Sequence, residues 1–199
     1  MFYAPVTPVK PMRRFLIFSG IALALLILLG WAVSFYNAKE EKSLSPEDHI
    51  SFTQGNLTIN VFYNRPSKKG REIFGGLVPY DKVWRTGANE ATTFETNLDL
   101  NIEGKRLPRG KFSLWTIPRE NSWTIIFNSE YGQWGINSEG EPNRNPQLDV
   151  LSVDVRAIQQ DKEFEQFTIA FGNVGEDAEM VLFWDKTVVS MPFSYESVN

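Results

Sequence analysis

Apolar and polar residues follow two different patterns along this chain. From Phe15 to Tyr36 the sequence contains no charged residue, which is typical of a helix that crosses a membrane. Further along, apolar residues alternate with polar ones, and in residues 57–63 every second side chain is apolar or aromatic. A repeat of two residues indicates a β-strand with one buried face. The two patterns predict one membrane helix followed by a β-rich domain.

Several segments of the second region have this strand pattern, and turn-forming residues such as Gly55, Gly104 and Gly110 separate some of them. The predicted strands cover residues 56–63, 91–102, 111–117, 122–128, 149–155, 164–171, 178–184 and 187–193. No window of about a dozen residues there keeps the i, i+3, i+4 apolar stripe of an amphipathic helix. We therefore predict an all-β fold, an antiparallel β-sandwich or a jelly-roll-like domain.

The apolar segment is long enough to span a bilayer. Roughly 22 residues at about 1.5 Å each give about 33 Å, against a hydrocarbon core of about 30 Å. A cleavable signal peptide has a shorter apolar region, of about 7–15 residues, and ends in a small-x-small site. The corresponding site here reads Tyr36-Asn37-Ala38, with a bulky residue where a small one is needed. The sequence therefore favours an uncleaved anchor.

The charges around the span predict its orientation. Three basic residues and no acidic residue precede it, namely Lys10, Arg13 and Arg14. The charges that directly follow it cancel one another, so the positive-inside rule places the N-terminus in the cytoplasm. Residues 1–14 are then a cytoplasmic tail, residues 37–47 a polar linker and residues 48–199 an extracytoplasmic β-rich domain.

Composition narrows the chemistry that this domain can perform. The chain has no Cys and a single His, which excludes disulfides and thiol nucleophiles and argues against a zinc site. After the span there are 17 basic and 24 acidic residues, a net charge of −7. Nucleic acid would be repelled by that charge. We expect no cofactor, no metal and no nucleic-acid partner.

One segment has an unusual composition and an informative order of residues. Residues 65–92 read RPSKKGREIFGGLVPYDKVWRTGANEAT, with glycines and prolines typical of a long irregular connection. This segment strongly resembles the signature of a bacterial family catalogued as "domain of unknown function 2911". The resemblance continues through LPRGKFSLWTIP, where Arg109 replaces an expected Ala, and through SWTIIFN and QWG to residues 188–193. It implies an exported or membrane-anchored β-rich domain of the bacterial cell envelope, and implies no activity, catalytic residue or cofactor.

A basic cluster is the first candidate for ligand binding. It consists of Arg65, Lys68, Lys69 and Arg71. In an acidic domain these side chains are suited to a carboxylate, a phosphate or an acidic glycan. The alternative is a solvated loop whose basic residues pair with Glu72 and Asp81.

The second candidate follows directly in the signature. Its members are Trp84, Arg85, Asn89 and Glu90. An aromatic face, a guanidinium, a carboxamide and a carboxylate are the groups that bind sugars or peptide ends. In the alternative interpretation Arg85 and Glu90 pair with each other or satisfy loop carbonyls, while Trp84 lies in the core.

Tryptophan residues outside the span give further candidates, because sugars stack on exposed aromatic rings. Trp123 and Trp184 fit the inward phase of their strands. Trp115 alternates against Leu114, and Trp134 lies in a glycine-containing loop. We expect Trp115 and Trp134 to be the better ligand candidates.

Signals for an enzyme are weaker. His49 lies beside Asp48, but no G-x-S-x-G motif presents a serine. Asp81 and Glu90 are a possible carboxylate pair for glycoside hydrolysis. The oxygen-rich residues 137–143 lack the spacing of a calcium loop. The sequence thus favours a non-catalytic module that binds a glycan, a peptide or an envelope protein, with an envelope hydrolase as the alternative.

Overall fold

The computed structural model describes residues 11–175 and 177–196. They fall into two compact units that divide between Ser43 and Leu44. The first unit contains all but the last residue of helix α1, Pro11–Leu44. Within it, Phe15–Tyr36 is long and apolar enough to cross a membrane, by length and composition. Residues 1–10 of the predicted cytoplasmic tail lie outside the described residues.

Helix α1 extends through residues 37–44, most of the segment that the sequence assigned to a linker. The reason is local: Ala38, Lys39, Glu40 and neighbouring residues favour a helix. The residue before a proline disfavours the helical conformation, and the helix ends shortly before Pro46. The first strand then begins at Glu47.

The second unit is built from antiparallel strands. They are β1 Glu47–Gln54, β2 Leu57–Asn64, β3 Thr93–Thr96, β4 Leu100–Ile102, β5 Lys105–Leu107, β6 Gly110–Pro118, β7 Ser122–Asn128, β8 Asp149–Val174 and β9 Asp177–Tyr195. Their order in the sheet is β1-β2-β3-β6-β7-β8-β9-β4-β5. Among the described residues after Leu44 the only helical element is a 3₁₀ turn, Pro146–Leu148. The predicted all-β antiparallel fold is therefore confirmed.

The long strand β8 folds this sheet into two layers. Its first part pairs with β7, from Asp149 to Arg156, and its second part pairs with β9. The second part of β8 is also hydrogen-bonded to the segment that follows β2. The Phe167 N–H donates to the carbonyl of Pro66 at 3.0 Å. Tyr63 of β2 consequently meets Phe167 edge to face, with ring centroids 5.8 Å apart. The result is a sandwich with one main core.

Aromatic side chains fill one end of this core. Trp84 packs against Trp184, Trp123 and Phe167, at centroid distances of 6.0, 6.0 and 4.9 Å, and Phe74 completes the cluster. Fully buried aromatic side chains each remove a large apolar area from water. The inward placement predicted for Trp123 and Trp184 is confirmed.

The strands differ from the predicted segments where pairing overrides the local pattern. Residues 91–102 are divided into β3 and β4 by a turn at 97–99. Conversely, the polar residues between 156 and 163 belong to β8, whose register shifts twice between Gln159 and Thr168. Edge strand β1 is only half-buried, and its weak apolar pattern was missed.

Candidate functional site

Residues 84–92, hereafter the signature loop, are anchored at both ends to β6. Trp84 exchanges backbone hydrogen bonds of 2.7 and 2.9 Å with Thr116. At the other end the Leu114 N–H donates to the Thr92 carbonyl at 2.7 Å. The Thr92 N–H also donates to the Arg85 carbonyl at 3.3 Å, which closes the loop. The loop therefore projects from a fixed base.

The interior of the signature loop leaves little freedom. Thr86 and Asn89 adopt positive φ values of 55° and 57°, a conformation that costs free energy for residues with a side chain. A Cβ atom at Gly87 would come 2.9 Å from the Asn64 carbonyl oxygen. The Thr92 hydroxyl donates to the Thr86 carbonyl at 2.6 Å. Tight packing and local hydrogen bonds thus hold one backbone conformation.

A polar relay joins the signature loop to the end of β2. The Asn89 side-chain amide donates to Asn64 Oδ1 at 3.3 Å, and Asn64 Nδ2 donates to Glu90 Oε2 at 3.0 Å. Asn64 and Asn89 are buried and Glu90 is half-buried. Buried amides are stabilised by such bonds, so Asn89 is a support for Glu90 in this geometry.

Trp84 lies in the core and is 9% exposed. Its indole N–H donates to the Gly87 carbonyl at 3.0 Å, within the signature loop. This placement fits a packing role, in which Trp84 anchors the loop from below rather than stacking on a ligand.

Arg85 is half-buried and lies across a second loop. A Cβ atom at Gly135 would come 2.0 Å from Arg85 Cδ. Among the described residues, Nε of Arg85 is buried without a hydrogen-bond partner, and no carboxylate lies within 4 Å of its guanidinium. Burial lowers the pKa of Arg85. The pairing of Arg85 with Glu90, one of the sequence alternatives, is not formed.

Arg65 of the basic cluster is used to connect strands. Its guanidinium donates to Thr168 Oγ1 at 2.7 Å and to the Phe167 carbonyl at 3.3 Å. It also forms an ion pair with Asp48 at 3.2 Å. The whole guanidinium therefore bridges β1 and β8.

Lys68 and Arg71 of the basic cluster are also engaged. Lys68 pairs with Asp185 at 2.7 Å and with Glu163 at 2.8 Å, and these bonds raise its pKa. Arg71 donates to the carbonyls of Lys68 and Ser67, at 3.0 and 2.6 Å. These contacts support the fold, although the partners are not the Glu72 and Asp81 that the sequence suggested.

A loop spanning residues 129–148, hereafter the cover loop, runs beside the signature loop. The Ala91 N–H donates to the Gln133 carbonyl at 3.1 Å, and the Gly135 N–H donates to the Asn89 carbonyl at 2.9 Å. Between these bonds Glu90 and Trp134 form an antiparallel bridge. The two loops are thus joined like short strands.

Trp115 and Trp134, the two tryptophans predicted to bind a ligand, differ in exposure. Trp134 is 42% exposed, whereas Trp115 is 0% exposed. Trp115 packs against Ala91 and Ile126 in a second small core, and its indole N–H donates to Ser113 Oγ at 2.8 Å. The expectation of a ligand at Trp115 is wrong, because the signature loop covers the outer face of β6.

A groove of about 540 Å³ lies beside the signature loop. Residues of β1, β2 and β3 and Lys111 of β6 line it, together with Glu90 and Ala91 of the signature loop and Tyr131 and Gly132 of the cover loop. Of this set, the sequence placed only Glu90 among the candidates for ligand binding, and considered His49 only for a catalytic role. Many of the others lie on strands or in the cover loop, where each resembles an ordinary residue of its own segment.

Aromatic and charged groups lie close together in this groove. The rings of His49 and Phe62 are 4.8 Å apart. Lys111 Nζ lies 5.4 Å from the Tyr131 ring centroid and 3.9 Å from Glu95 Oε2. The groove therefore offers two aromatic surfaces, carboxylates and an ammonium group.

A family model described as "Protein of unknown function (DUF2911)" matches residues 45–193. The chain belongs to this family. No curated protein and no solved structure matches the chain. The DUF2911 domain begins before β1 and ends within β9, so it contains the signature loop, the cover loop and the groove.

A second cavity of the DUF2911 domain, about 760 Å³, lies beside β4 and β5. Its main ionic contact joins Arg106 to Asp99 at 2.5 Å. The N–H of Arg109 donates to the same carboxylate at 2.8 Å, and these bonds lower the pKa of Asp99. The Arg109 side chain, at the position of the expected Ala, lines this cavity.

Metal binding has little support in the part of the DUF2911 domain that the structure describes, where no group of three or more His, Asp or Glu residues suits a metal. In residues 137–143, Asn137 Oδ1 accepts the N–H groups of Glu139 and Glu141 at 3.0 and 2.9 Å. That geometry is a hydrogen-bonded turn.

Asp81 and Glu90, the proposed carboxylate pair, are held separately. Asp81 pairs with Arg119 at 2.9 Å, and its N–H donates to the Pro118 carbonyl. The end of the signature loop, which follows Glu90, is hydrogen-bonded to β6 at Leu114. Leu114 is four residues from Pro118, which corresponds to about 13 Å along a strand. The groove contains Glu90 and does not contain Asp81.

Proposed function

We propose that this protein is a single-pass membrane protein of the bacterial envelope whose DUF2911 domain is a non-catalytic binding module outside the cytoplasm. The helix supports the anchor by its length and composition. The three basic residues before the span support the orientation.

The groove is the observation that carries the binding role. Its floor is a rigid sheet, and its wall is the signature loop, which tight packing and the Asn64–Glu90 hydrogen bond hold in place. A preformed surface binds without a large cost of ordering. Such a cost would weaken a site built from free loops.

The lining of the groove favours a glycan or a peptide over an acidic ligand. Glu90 and Glu95 outnumber Lys111, so the local charge repels anions. Tyr131, which is 51% exposed, and Phe62 supply aromatic surfaces of the kind that pack on sugar rings and apolar side chains. Arg65, Lys68 and Arg71 of the basic cluster, by contrast, are engaged in contacts within the fold.

A binding screen tests this proposal. The full chain in detergent micelles is titrated with neutral and amino-sugar glycans and with envelope peptides, and thermal unfolding is followed by tryptophan fluorescence. Ligand at about 100 times its Kd should stabilise the domain by about 2.7 kcal/mol. Tyr131→Ala should weaken binding about tenfold or more, as expected for loss of an aromatic contact.

Leu77→Ala is the matched control, because Leu77 is similarly exposed but lies outside the groove. It should leave the affinity unchanged. Binding that is equally strong in wild type and Tyr131→Ala would place the ligand elsewhere and exclude the groove.

An envelope hydrolase is the second candidate, because Glu90 and Glu95 line the same groove. Two carboxylates at suitable separation suffice for glycoside hydrolysis. Release of nitrophenol from a panel of nitrophenyl glycosides, abolished by Glu95→Gln, would support the hydrolase. Binding without turnover would support the module.

A further inference from the structure

The two terminal strands of the sheet differ in how well they are protected. The sheet ends at β1 on one side and at β5 on the other. β5 is three residues long and contains Lys105 and Arg106, which are both exposed. A short length and exposed basic side chains prevent a further strand from pairing with a sheet edge. The edge at β5 is therefore protected.

β1 lacks this protection. It is eight residues long, contains no Pro, Lys or Arg, and pairs with β2 along its whole length without a register shift. Its acidic residues, Glu47 and Asp48, are confined to its first two positions. Ile50 and Phe52 pack against the main core but stay only half-buried. A regular edge with exposed apolar area is suited to pairing with another strand.

The hydrogen bonds of the β1–β2 hairpin show which residues face the outer edge. Residues 55–56 form a two-residue turn, so the pair that closes it, Gln54 and Leu57, is hydrogen-bonded. Before the hairpin the Arg65 N–H donates to the Pro46 carbonyl at 2.9 Å. Bonding alternates along an antiparallel pair. Even-numbered residues of β1 therefore bond to β2, and odd-numbered residues direct their backbone groups to the outer edge.

His49, Ser51 and Thr53 consequently form an open edge. In the part of the chain that the structure describes, no group is hydrogen-bonded to the backbone of Ser51 or Thr53 on this side. The His49 N–H donates to the side chain of its neighbour Asp48, at 2.9 Å, and not to another strand. The side chains of all three residues are exposed. The edge thus offers the backbone donors and acceptors of a strand that lacks a partner.

We infer that the partner of this edge is β1 of a second copy of the chain, paired antiparallel about a two-fold axis at Ser51. Closed two-fold contacts use the same surface on both copies. In this register Ser51 faces Ser51, and Ile50 of each copy faces Phe52 of the other. The positions of Ile50 and Phe52 form a non-hydrogen-bonded pair, in which side chains approach most closely. Pairs of an aromatic and a β-branched side chain stabilise a sheet, so the apolar area left exposed at the edge is covered.

The charges of β1 favour the antiparallel arrangement. Asp48 then faces Gln54 of the second copy, and the acidic beginning of each strand lies beside the neutral end of the other. A parallel pairing in register would place Glu47 and Asp48 opposite the same residues of the second copy, where like charges repel. A second copy thus matches this edge in hydrogen bonding, apolar contact and charge.

Single cysteines test the register, because the chain has no Cys of its own. In the full chain in detergent micelles under mild oxidation, Ser51→Cys should give a disulfide-linked dimer. The facing Cα atoms would be about 5.5 Å apart, within the range of a disulfide. Thr53→Cys is the matched control on the same strand, because its two copies would be about 14 Å apart and should stay unlinked. A mixture of His49→Cys and Thr53→Cys proteins should cross-link to each other.

An added charge tests whether the edge holds the dimer without a covalent bond. Ser51→Lys would place two ammonium groups opposite each other, so the molar mass of the protein in the micelle, measured by light scattering, should fall by half. Asn60→Lys is the control. Asn60 is exposed and faces Ser51 within the β1–β2 pair, so the same charge lies one strand away from the edge and should leave the dimer intact. Circular dichroism should show that both variants fold.

Three results would overturn this inference. A monomeric mass of the wild type, or the absence of a cross-link in Ser51→Cys, would leave the edge without a second copy. Cross-linking of Thr53→Cys alone, as efficient as that of Ser51→Cys, would contradict the register. A dimer that survives Ser51→Lys would be held together elsewhere in the chain. These measurements use no ligand of the groove, so their outcome is independent of the function proposed above.

Discussion

The stem of Arg85 lies so close to the backbone of Gly135 that a Cβ atom there would come 2.0 Å from Arg85 Cδ. Gly135 has no positive φ that would require glycine, so only the contact with Arg85 excludes a larger residue. Gly135→Ala should reduce the free energy of unfolding by about 1–3 kcal/mol, the usual cost of overpacking.

A double-mutant cycle checks this explanation. In an Arg85→Ala background the contact with Cδ is removed, while Cβ of residue 85 stays 2.8 Å from the added atom, so Gly135→Ala should cost about 1 kcal/mol less than in the wild type. Urea unfolding of the four proteins gives the coupling energy. Equal costs in both backgrounds would show that the strain at Gly135 has another source.

The different exposure of Trp84 and Trp134 predicts that their replacement by alanine has different effects on stability. Trp84 packs among four aromatic side chains, so Trp84→Ala should destabilise the domain by about 3–5 kcal/mol. Trp134 is 42% exposed, and Trp134→Ala should change stability by about 0.5 kcal/mol or less. Similar losses in the two variants would contradict the assignment of Trp84 to the core.

Tyr63 predicts a change of stability at alkaline pH. Burial raises the pKa of its phenol from 10.0 to about 12. The folded state thus retains the proton more strongly, so the stabilisation is complete below pH 10 and is lost as the pH rises to 12. That loss amounts to about 2–3 kcal/mol.

Tyr63→Phe tests the source of this loss. The Tyr63 hydroxyl accepts the Ile169 N–H at 3.2 Å and donates to Asp48 at 3.3 Å. The variant should be about 1–2 kcal/mol less stable at pH 7 and should lose less stability between pH 10 and 12. An unchanged alkaline slope in chemical unfolding would assign the pH dependence to other groups.

A fusion at the C-terminus tests membrane topology. A reporter active only outside the cytoplasm should be active there, because the positive charges before the span stay inside. An N-terminal tag should remain on the same polypeptide if the anchor is uncleaved. Loss of the tag would indicate a signal peptide, and an active cytoplasmic reporter would reverse the orientation.

The fold could be predicted from the sequence wherever one strand face is buried. β2 is an example, since its apolar residues alternate as expected. β6 is different: Leu114 enters the main core and Trp115 enters the small core under the signature loop. Burial on both faces depends on a loop distant in the sequence, which the alternation of one strand does not show.

The candidate site was only partly predictable for a related reason. Glu90 and Arg85 belong to a conspicuous motif, and both have distinctive environments. His49, Tyr131 and Gln133 come from segments far apart in the chain, and each resembles a common surface residue in its own segment. Only the pairing of the strands and the two loops places them beside the motif.

The hydrogen bonds that join β8 to the chain after β2 have a consequence for biogenesis. Phe167 and Pro66 are about a hundred residues apart, and such distant contacts make folding slow. During synthesis β1 and β2 emerge long before residues 165–167. The edges of these early strands stay unpaired until the last third of the protein has been made, and chaperones and proteases have access to the chain during this interval.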